Sequence, residues 1–232
     1  MVKIAVIGDG KDLITKKLPK GFELEYNYPE LVITFGGDGT FLSAEEKYPG
    51  VPRLFVKHLW TCKDCKKHDF SKMLNSLLKK EYSIIEFEKL EASINGKKTF
   101  IAMNDINLHY IPPRAVRFSL EVNNKLIDGE VISDGFIVST RFGSTAYFHS
   151  VSRKSFNKGY GIAINNPTVP MDPIMVENLN VEARILRGPA VIVADCQDKS
   201  IPLKDKDVIT IKPYKEKAKI IHIGKELRYK DY

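Results

Sequence analysis

Apolar residues recur with two different periods along this chain, and the change falls near Tyr82. Before it, Lys3–Ile7 and Leu31–Phe35 are short apolar, β-rich runs, each closed by glycines, the pattern of buried strands. Lys11–Leu18 predicts a short helix stopped by Pro19 and Gly21, Phe22–Tyr26 alternates like a second strand, and Val51–Val56 predicts another. Phe41–Lys47 predicts a helix, as does Phe70–Lys80, where Phe70, Met73, Leu74, Leu77 and Leu78 fall at helical spacing. Strand, helix, strand, strand, glycine loop is the opening of an α/β layer.

Beyond Tyr82 the pattern is β almost throughout. Ile84–Ile94, Asn95-Gly96 and Thr99–Tyr110 predict a hairpin, and Arg117–Val122, Asn123-Asn124 and Lys125–Ile132 predict a second. Phe136–Thr140, Gly161–Ile164, Val181–Leu186, Ala190–Ala194 and Val208–Lys212 add short strands between turn residues, the spacing of an all-β, sandwich-like domain. Lys219–Ile223 is a late strand, free to return to the first domain. The division expected is residues 1–82 as an N-terminal α/β, Rossmann-like domain, 83–218 as a C-terminal β-rich domain, and 219–232 as the returning segment.

Composition narrows the classes. At 232 residues, 43% hydrophobic and 28% charged, the chain has the make-up of a soluble globular protein. No apolar run approaches membrane-spanning length and the N-terminus lacks a signal-peptide layout, so the expectation is a cytoplasmic protein without a membrane partner. A net charge of +7 suits an anionic ligand, but the basic residues are interleaved with acids and carry no aromatic-plus-basic motif, which argues against nucleic acid. Three cysteines fit a reducing compartment.

The candidate chemistry lies in three stretches. Gly36-Gly37-Asp38-Gly39-Thr40 joins a strand to a helix, and the N–H groups of such a loop favour phosphate. A carboxylate in its middle implies a bound cation or a proton to be removed; the plain alternative is a tight Asp-Gly turn with a capping threonine. The second stretch, Asp134–Ser150, reads DGFIVSTRFGSTAYFHS. Its small hydroxyl residues suit a polar ligand and Tyr147 offers a flat face for a ring; a Ser/Thr-rich capping loop is the plainer reading. Third, His58, Cys62, Cys65 and His68 have the side-chain types of a zinc site packed into eleven positions. A solvated polar loop, or a Cys62–Cys65 disulfide, explains them as well.

Taken together the first two stretches resemble NAD kinases. GGDGT is shared with lipid kinases and, more loosely, phosphofructokinases, but those lack the second signature, matched here from Asp134 to Thr140 and from Gly143 to Tyr147. Met103-Asn104-Asp105-Ile106 is similar to the Asn-Glu/Asp pair of the same family. The resemblance implies an α+β two-domain fold with the site between the domains, and phosphorylation of the adenosine-ribose 2′-hydroxyl of NAD⁺ to NADP⁺. It implies ATP as donor, Mg²⁺ or another divalent cation, and a homo-oligomer, dimer or tetramer. Asp38 would be the catalytic base, and Gly36, Gly37, Gly39 and Thr40 would hold phosphates and metal. Asn104 and Asp105 would bind NAD, Asp105 through ribose hydroxyls. Thr145, Ala146, Tyr147 and Ser150 would line the base and nicotinamide pockets, Thr140 and Ser144 would belong to the same binding site, and Asp134 would lie on the nicotinamide side or at a neighbouring subunit's share of the ligand.

The chain departs from the family in places. The Gly-x-Leu-Gly-Phe-Leu loop expected soon after GGDGT is Leu54–Thr61 without glycine, the Pro-Thr of the second signature is Arg141-Phe142, Gly-Gly-Pro is replaced by Ser152-Arg153-Lys154, and a later Asp-Gly is Asp195-Cys196. Arg141 fits a phosphate contact or a surface ion pair equally well. The departures leave a second expectation, a dinucleotide-binding sensor that has lost turnover.

Overall fold

Ile4, Ala5 and Val6 are all buried in β1 (Val2–Ile7), as a strand covered on both faces requires. It pairs in parallel with β2 (Phe22–Leu24) on one side and β3 (Leu31–Gly36) on the other. Helix α1 (Lys11–Thr15) leads from β1 to β2, and α2 (Asp38–Lys47) leads from β3 to its parallel neighbour β4 (Arg53–Lys57). The computed structural model describes residues 1–57, 70–112, 114–195, 197 and 199–224. Next come α3 (Phe70–Lys79) and β5 (Ser83–Phe87). Ile14 of α1 and Met73, Leu74 and Leu77 of α3 cover one face of the sheet, while Ala44 and Tyr48 pack with Ala5 and Val32 on the other.

A second compact unit, Glu88–Glu216, is built of two six-stranded antiparallel sheets. Its elements are β6 (Leu90–Ile94), β7 (Lys97–Ala102), β8 (Asp105–Tyr110), β9 (Val116–Val122), β10 (Lys125–Ser133), β11 (Gly135–Thr140), α4 (Tyr147–Ser152), β12 (Tyr160–Asn165), β13 (Ile174–Val176), β14 (Val181–Arg187), β15 (Ala190–Ala194), β16 (Ile201–Leu203) and β17 (Val208–Pro213). The strand orders are β10-β9-β14-β17-β6-β7 and β13-β12-β11-β8-β15-β16. Val116, Phe118, Leu120 and Val122 of β9 alternate inward and share one core with Ile106 and Leu108 of β8 and Phe136 and Val138 of β11, the packing of a sandwich. The chain then returns to the first unit, where β18 (Ala218–His222) lies between β4 and β5 in the order β2-β1-β3-β4-β18-β5.

The turn residues act as the sequence indicates. Asn123 and Asn124 both have positive φ, as do Asn95 and Gly96, the requirement of two-residue hairpin turns. Several boundaries differ from the sequence reading. Ile84–Ile94 is not one strand: β5 ends at Phe87 in the first unit and β6 begins at Leu90 in the second. Thr99–Tyr110 also breaks, because the chain crosses from one sheet to the other between β7 and β8. The helix expected at Phe41 begins at Asp38, with Gly37 as an extended N-cap, so Asp38, Gly39 and Thr40 form its first turn. Helix α1 is shorter than expected and ends at Thr15. Helix α4, β13 and β16 were not expected. Among the described residues no helix is long and apolar enough to cross a membrane.

Candidate functional site

In the first unit the strand order reverses between β1 and β3: the chain goes from β1 to β2 on one side, then returns to β3 on the other. The carboxyl ends of parallel strands at such a reversal form the usual ligand crevice of an open α/β sheet. Two glycine stretches meet there, Gly8-Asp9-Gly10 after β1 and Gly36-Gly37 at the end of β3. Gly8 has φ +125°, and a Cβ on it would overlap the carbonyl oxygen of Phe35, so the loops approach too closely for any other residue. The first helical hydrogen bond of α2 runs from Phe41 N–H to Gly37 O at 3.2 Å, and no side chain caps this end. The amides of Gly39 and Thr40 therefore precede the helix's own ladder at its positive end, suited to an anion. Asp38 is exposed at the first helical position and Thr40 is half-buried.

In the second unit, the two motifs that the sequence separates by some thirty residues are tied together. Thr140 N–H donates to Asn104 O at 2.8 Å, Thr140 Oγ1 donates to Met103 O at 2.6 Å, and Ser139 Oγ donates to Asn104 O at 3.2 Å. Thr140 Oγ1 also accepts Gly143 N–H at 3.2 Å. A Cβ at Gly143 would overlap the Asn104 backbone, so the 141–146 turn lies directly on Asn104. Thr140 is buried and committed to the backbone. Ser144 is fully buried, and its hydroxyl and the Oδ1 of Asn104 are buried without a protein partner. Native structures rarely leave such atoms unpaired, so they are candidates for a ligand. Thr145 and Ala146 are half-buried beside them, and Tyr147 opens α4. Ser150 is exposed, and its hydroxyl turns back to Ala146 O at 3.4 Å.

Strand β8 carries Asp105, Asn107 and His109 on the face opposite the core residues Ile106 and Leu108. Asp105 is 4% exposed and accepts Asn107 Nδ2 at 2.6 Å. Burial first, and then the charge of Asp195, pushes its carboxyl up to about 7, against the Asn107 hydrogen bond. Burial lowers the pKa of His109, so its imidazole is neutral at neutral pH. The His109 and Tyr147 rings lie 5.8 Å apart between centroids. Tyr147 is 36% exposed and accepts Asn165 Nδ2 at 3.4 Å. Desolvation and then the charges of Asp105 and Asp134 raise its pKa, which places both carboxylates within electrostatic reach of the phenol. Asp134 Oδ2 accepts Asn166 Nδ2 at 3.0 Å. Sequence motifs did not point to Asn107, His109, Asn165 or Asn166; the alternation of β8 reads as a strand with one polar face, and nothing in it marks that face as a site.

Among the described residues no group of three or more His, Cys, Asp or Glu could hold a metal ion. His58, Cys62, Cys65 and His68 lie outside the described residues.

An α/β unit with a helix terminus suited to an anion, joined in sequence to a β-sandwich that carries buried, unpartnered polar atoms beside Asp105 and Tyr147, defines a protein of two-domain α+β architecture. The fold is the NAD-kinase fold: the structure of an NAD kinase from Archaeoglobus fulgidus in complex with ATP superposes with a TM-score of 0.77 at 23% identity, covering 97% of this chain and 94% of that one. Yeast NADH kinase complexed with NADH gives a TM-score of 0.74 at 18% identity over 96% of this chain and 75% of the other. By sequence, the NAD kinase of Sulfurisphaera tokodaii is 29% identical over 222 residues, 87% of this chain and 84% of that protein. No protein-family model matches the chain. Relatives and structural neighbours alike carry the name of NAD or NADH kinase, which supports the family that the motifs resemble.

Proposed function

We propose that the protein is an NAD kinase, a phosphotransferase with an alcohol acceptor, which moves the γ-phosphate of ATP to the adenosine-ribose 2′-hydroxyl of NAD⁺ and yields NADP⁺ and ADP. A ribose hydroxyl is a poor nucleophile, so the reaction needs a base and charge stabilisation on the phosphates. Asp38 takes the 2′-hydroxyl proton as the new O–P bond forms and the bond from the γ-phosphorus to the bridging oxygen breaks. The amides at the start of α2, with Gly36, Gly37 and Thr40, hold the donor phosphates. The Asp38 carboxylate and Thr40 hydroxyl are hard oxygen donors of the kind that would hold a Mg²⁺. When bound, the ion neutralises charge on those phosphates. Asn104 and Asp105 bind the dinucleotide, Tyr147 lies against a ring of it, Thr145, Ala146 and Ser144 line the pocket, and Asp134 serves the nicotinamide side. Assembly as a dimer or tetramer in the cytoplasm belongs to the same reading.

The observation that carries this reading is the pair of buried, unpartnered polar atoms, Asn104 Oδ1 and Ser144 Oγ, where the two motifs join next to Asp105. Purified protein with ATP, Mg²⁺ and NAD⁺ is expected to form NADP⁺, detected with an NADP-specific dehydrogenase. NAD⁺ binding without product would instead establish a sensor; neither binding nor product would refute the proposal.

A further inference from the structure

Asn107 belongs to neither motif, yet it touches Asp105. Its amide nitrogen donates to Asp105 Oδ1 at 2.6 Å, and both side chains are 4% exposed. That bond fixes the amide with nitrogen toward the carboxyl and Oδ1 away, where it has no protein partner. Cross-strand neighbours of Asn107 are Ile137 on β11 and Val193 on β15, so the polar side chain stands in an aliphatic row. A buried amide whose carbonyl oxygen makes no hydrogen bond is costly as a purely structural choice; a valine or leucine fills such a position without that cost.

The groups that face Asp105 explain what the amide contributes. Asp195 comes from the end of β15 and Tyr147 from α4, with Ser139 opposite on β11 and neutral His109 further along β8. Burial and Asp195 both disfavour the carboxylate, whereas the Asn107 N–H favours it.

We infer that Asn107 is a positioning residue, which holds the Asp105 carboxyl group as a hydrogen-bond acceptor for the ribose hydroxyls of the dinucleotide. This inference rests on the NAD kinase reading above. Asn107→Leu keeps the branched shape and the number of side-chain heavy atoms, is somewhat larger, and removes the donor; Asn107→Thr returns a hydroxyl donor on a residue that suits a strand. In ligand-free protein the carboxyl of Asp105, followed by ¹³C NMR and assigned with Asp105→Asn, is expected to titrate about one pH unit higher in Asn107→Leu than in wild type. At pH 7 the KM for NAD⁺ is expected to rise about fivefold with kcat within about twofold, because binding rather than chemistry is affected. The KM should fall back toward the wild-type value as the pH is raised to 9, and Asn107→Thr should recover most of the loss. A folded Asn107→Leu with unmoved titration, or with a moved titration and an unchanged KM, would overturn the inference alone. If Asn107→Leu does not fold, Asn107→Thr is read in the same way, and wild-type KM with a wild-type Asp105 titration is then expected. A wild type that neither binds NAD⁺ nor forms NADP⁺ overturns the function, and this inference with it.

Discussion

Asp195 Oδ1 accepts the backbone N–H of Asn104 at 2.7 Å from 91 residues away in sequence. The same carboxylate takes the N–H of Asp105 at 3.1 Å and, through Oδ2, that of Met103 at 2.8 Å. Three consecutive amides at the crossing from β7 to β8 are thus satisfied by one side chain. Asp195→Ala leaves them without that acceptor, and a loss of about 3–5 kcal/mol is expected from several charge-assisted bonds removed together. Thermal or denaturant unfolding reads this directly. Asp195→Asn keeps one acceptor oxygen and should lose less; an Asp195→Ala variant that melts with the wild type would mean that the amides are held by other groups.

The raised pKa of Asp105 has a defined sign for stability. Its carboxyl titrates from about 3.8 in the ordinary case and about 7 here, so the folded state binds more protons between those values. Stability from this group is fully present below about pH 4 and is lost as pH rises through 7. The difference between those two values corresponds to roughly 4 kcal/mol. Wild type is therefore expected to lose stability between about pH 4 and 7 relative to Asp105→Asn, in which the group cannot ionise. Unfolding curves for the pair at several pH values check it; parallel stability profiles would show that Asp105 ionises as an ordinary carboxylate.

Tyr147→Ala should weaken NAD⁺ binding far more than ATP binding. The ring is partly exposed and edged by His109, with its hydroxyl tied to Asn165, so it offers a fixed flat surface. Loss of a stacked base is worth about 1–3 kcal/mol in comparable sites. Calorimetric titration of both ligands separates the outcomes, and equal losses for the two would remove Tyr147 from the dinucleotide pocket.

How much of this was legible in the sequence depended on whether the deciding interaction is local. The Asn123-Asn124 hairpin was legible because two positive-φ residues between alternating runs determine it. The apolar run of β3 and the glycines after it were legible for the same reason. The break at Met103-Asn104 was not, because the carboxylate that holds it lies at Asp195. Helix α4 was hidden in a Ser/Thr-rich stretch, and what anchors it is Phe148 against Ile137 and Ala163, contacts between separate elements. The start of α2 is not legible in the sequence because two glycines and an acid look like loop, while the acid is favourable at the positive end of a helix. Of the candidate site, the motif residues were marked by their spacing, and their joining through Thr140 and Gly143 explains why both motifs occur together. Asn107 and His109 carry no such mark.

Asp38→Asn tests the chemistry most directly. The residue is exposed at the first position of α2, outside the buried core, and asparagine keeps its shape. Loss of a carboxylate at a helix N-terminus costs about 0.3–1 kcal/mol, a small change in melting temperature for a chain of this size. NAD⁺ affinity should be nearly unchanged, since all of the proposed dinucleotide contacts except that of Asp38 with the 2′-hydroxyl come from the second unit, Asn104, Asp105, Ser144 and Tyr147 among them. Turnover should fall by about 10²–10⁴, the usual contribution of a general base, and further if the bound cation is weakened. If Asp38 acted only as a helix residue, any fall in activity would follow the loss of folded protein. One purified variant decides the matter by thermal melt, NAD⁺ titration and NADP⁺ formation. A variant that melts like wild type, binds NAD⁺ and keeps kcat within about threefold would remove Asp38 from the mechanism.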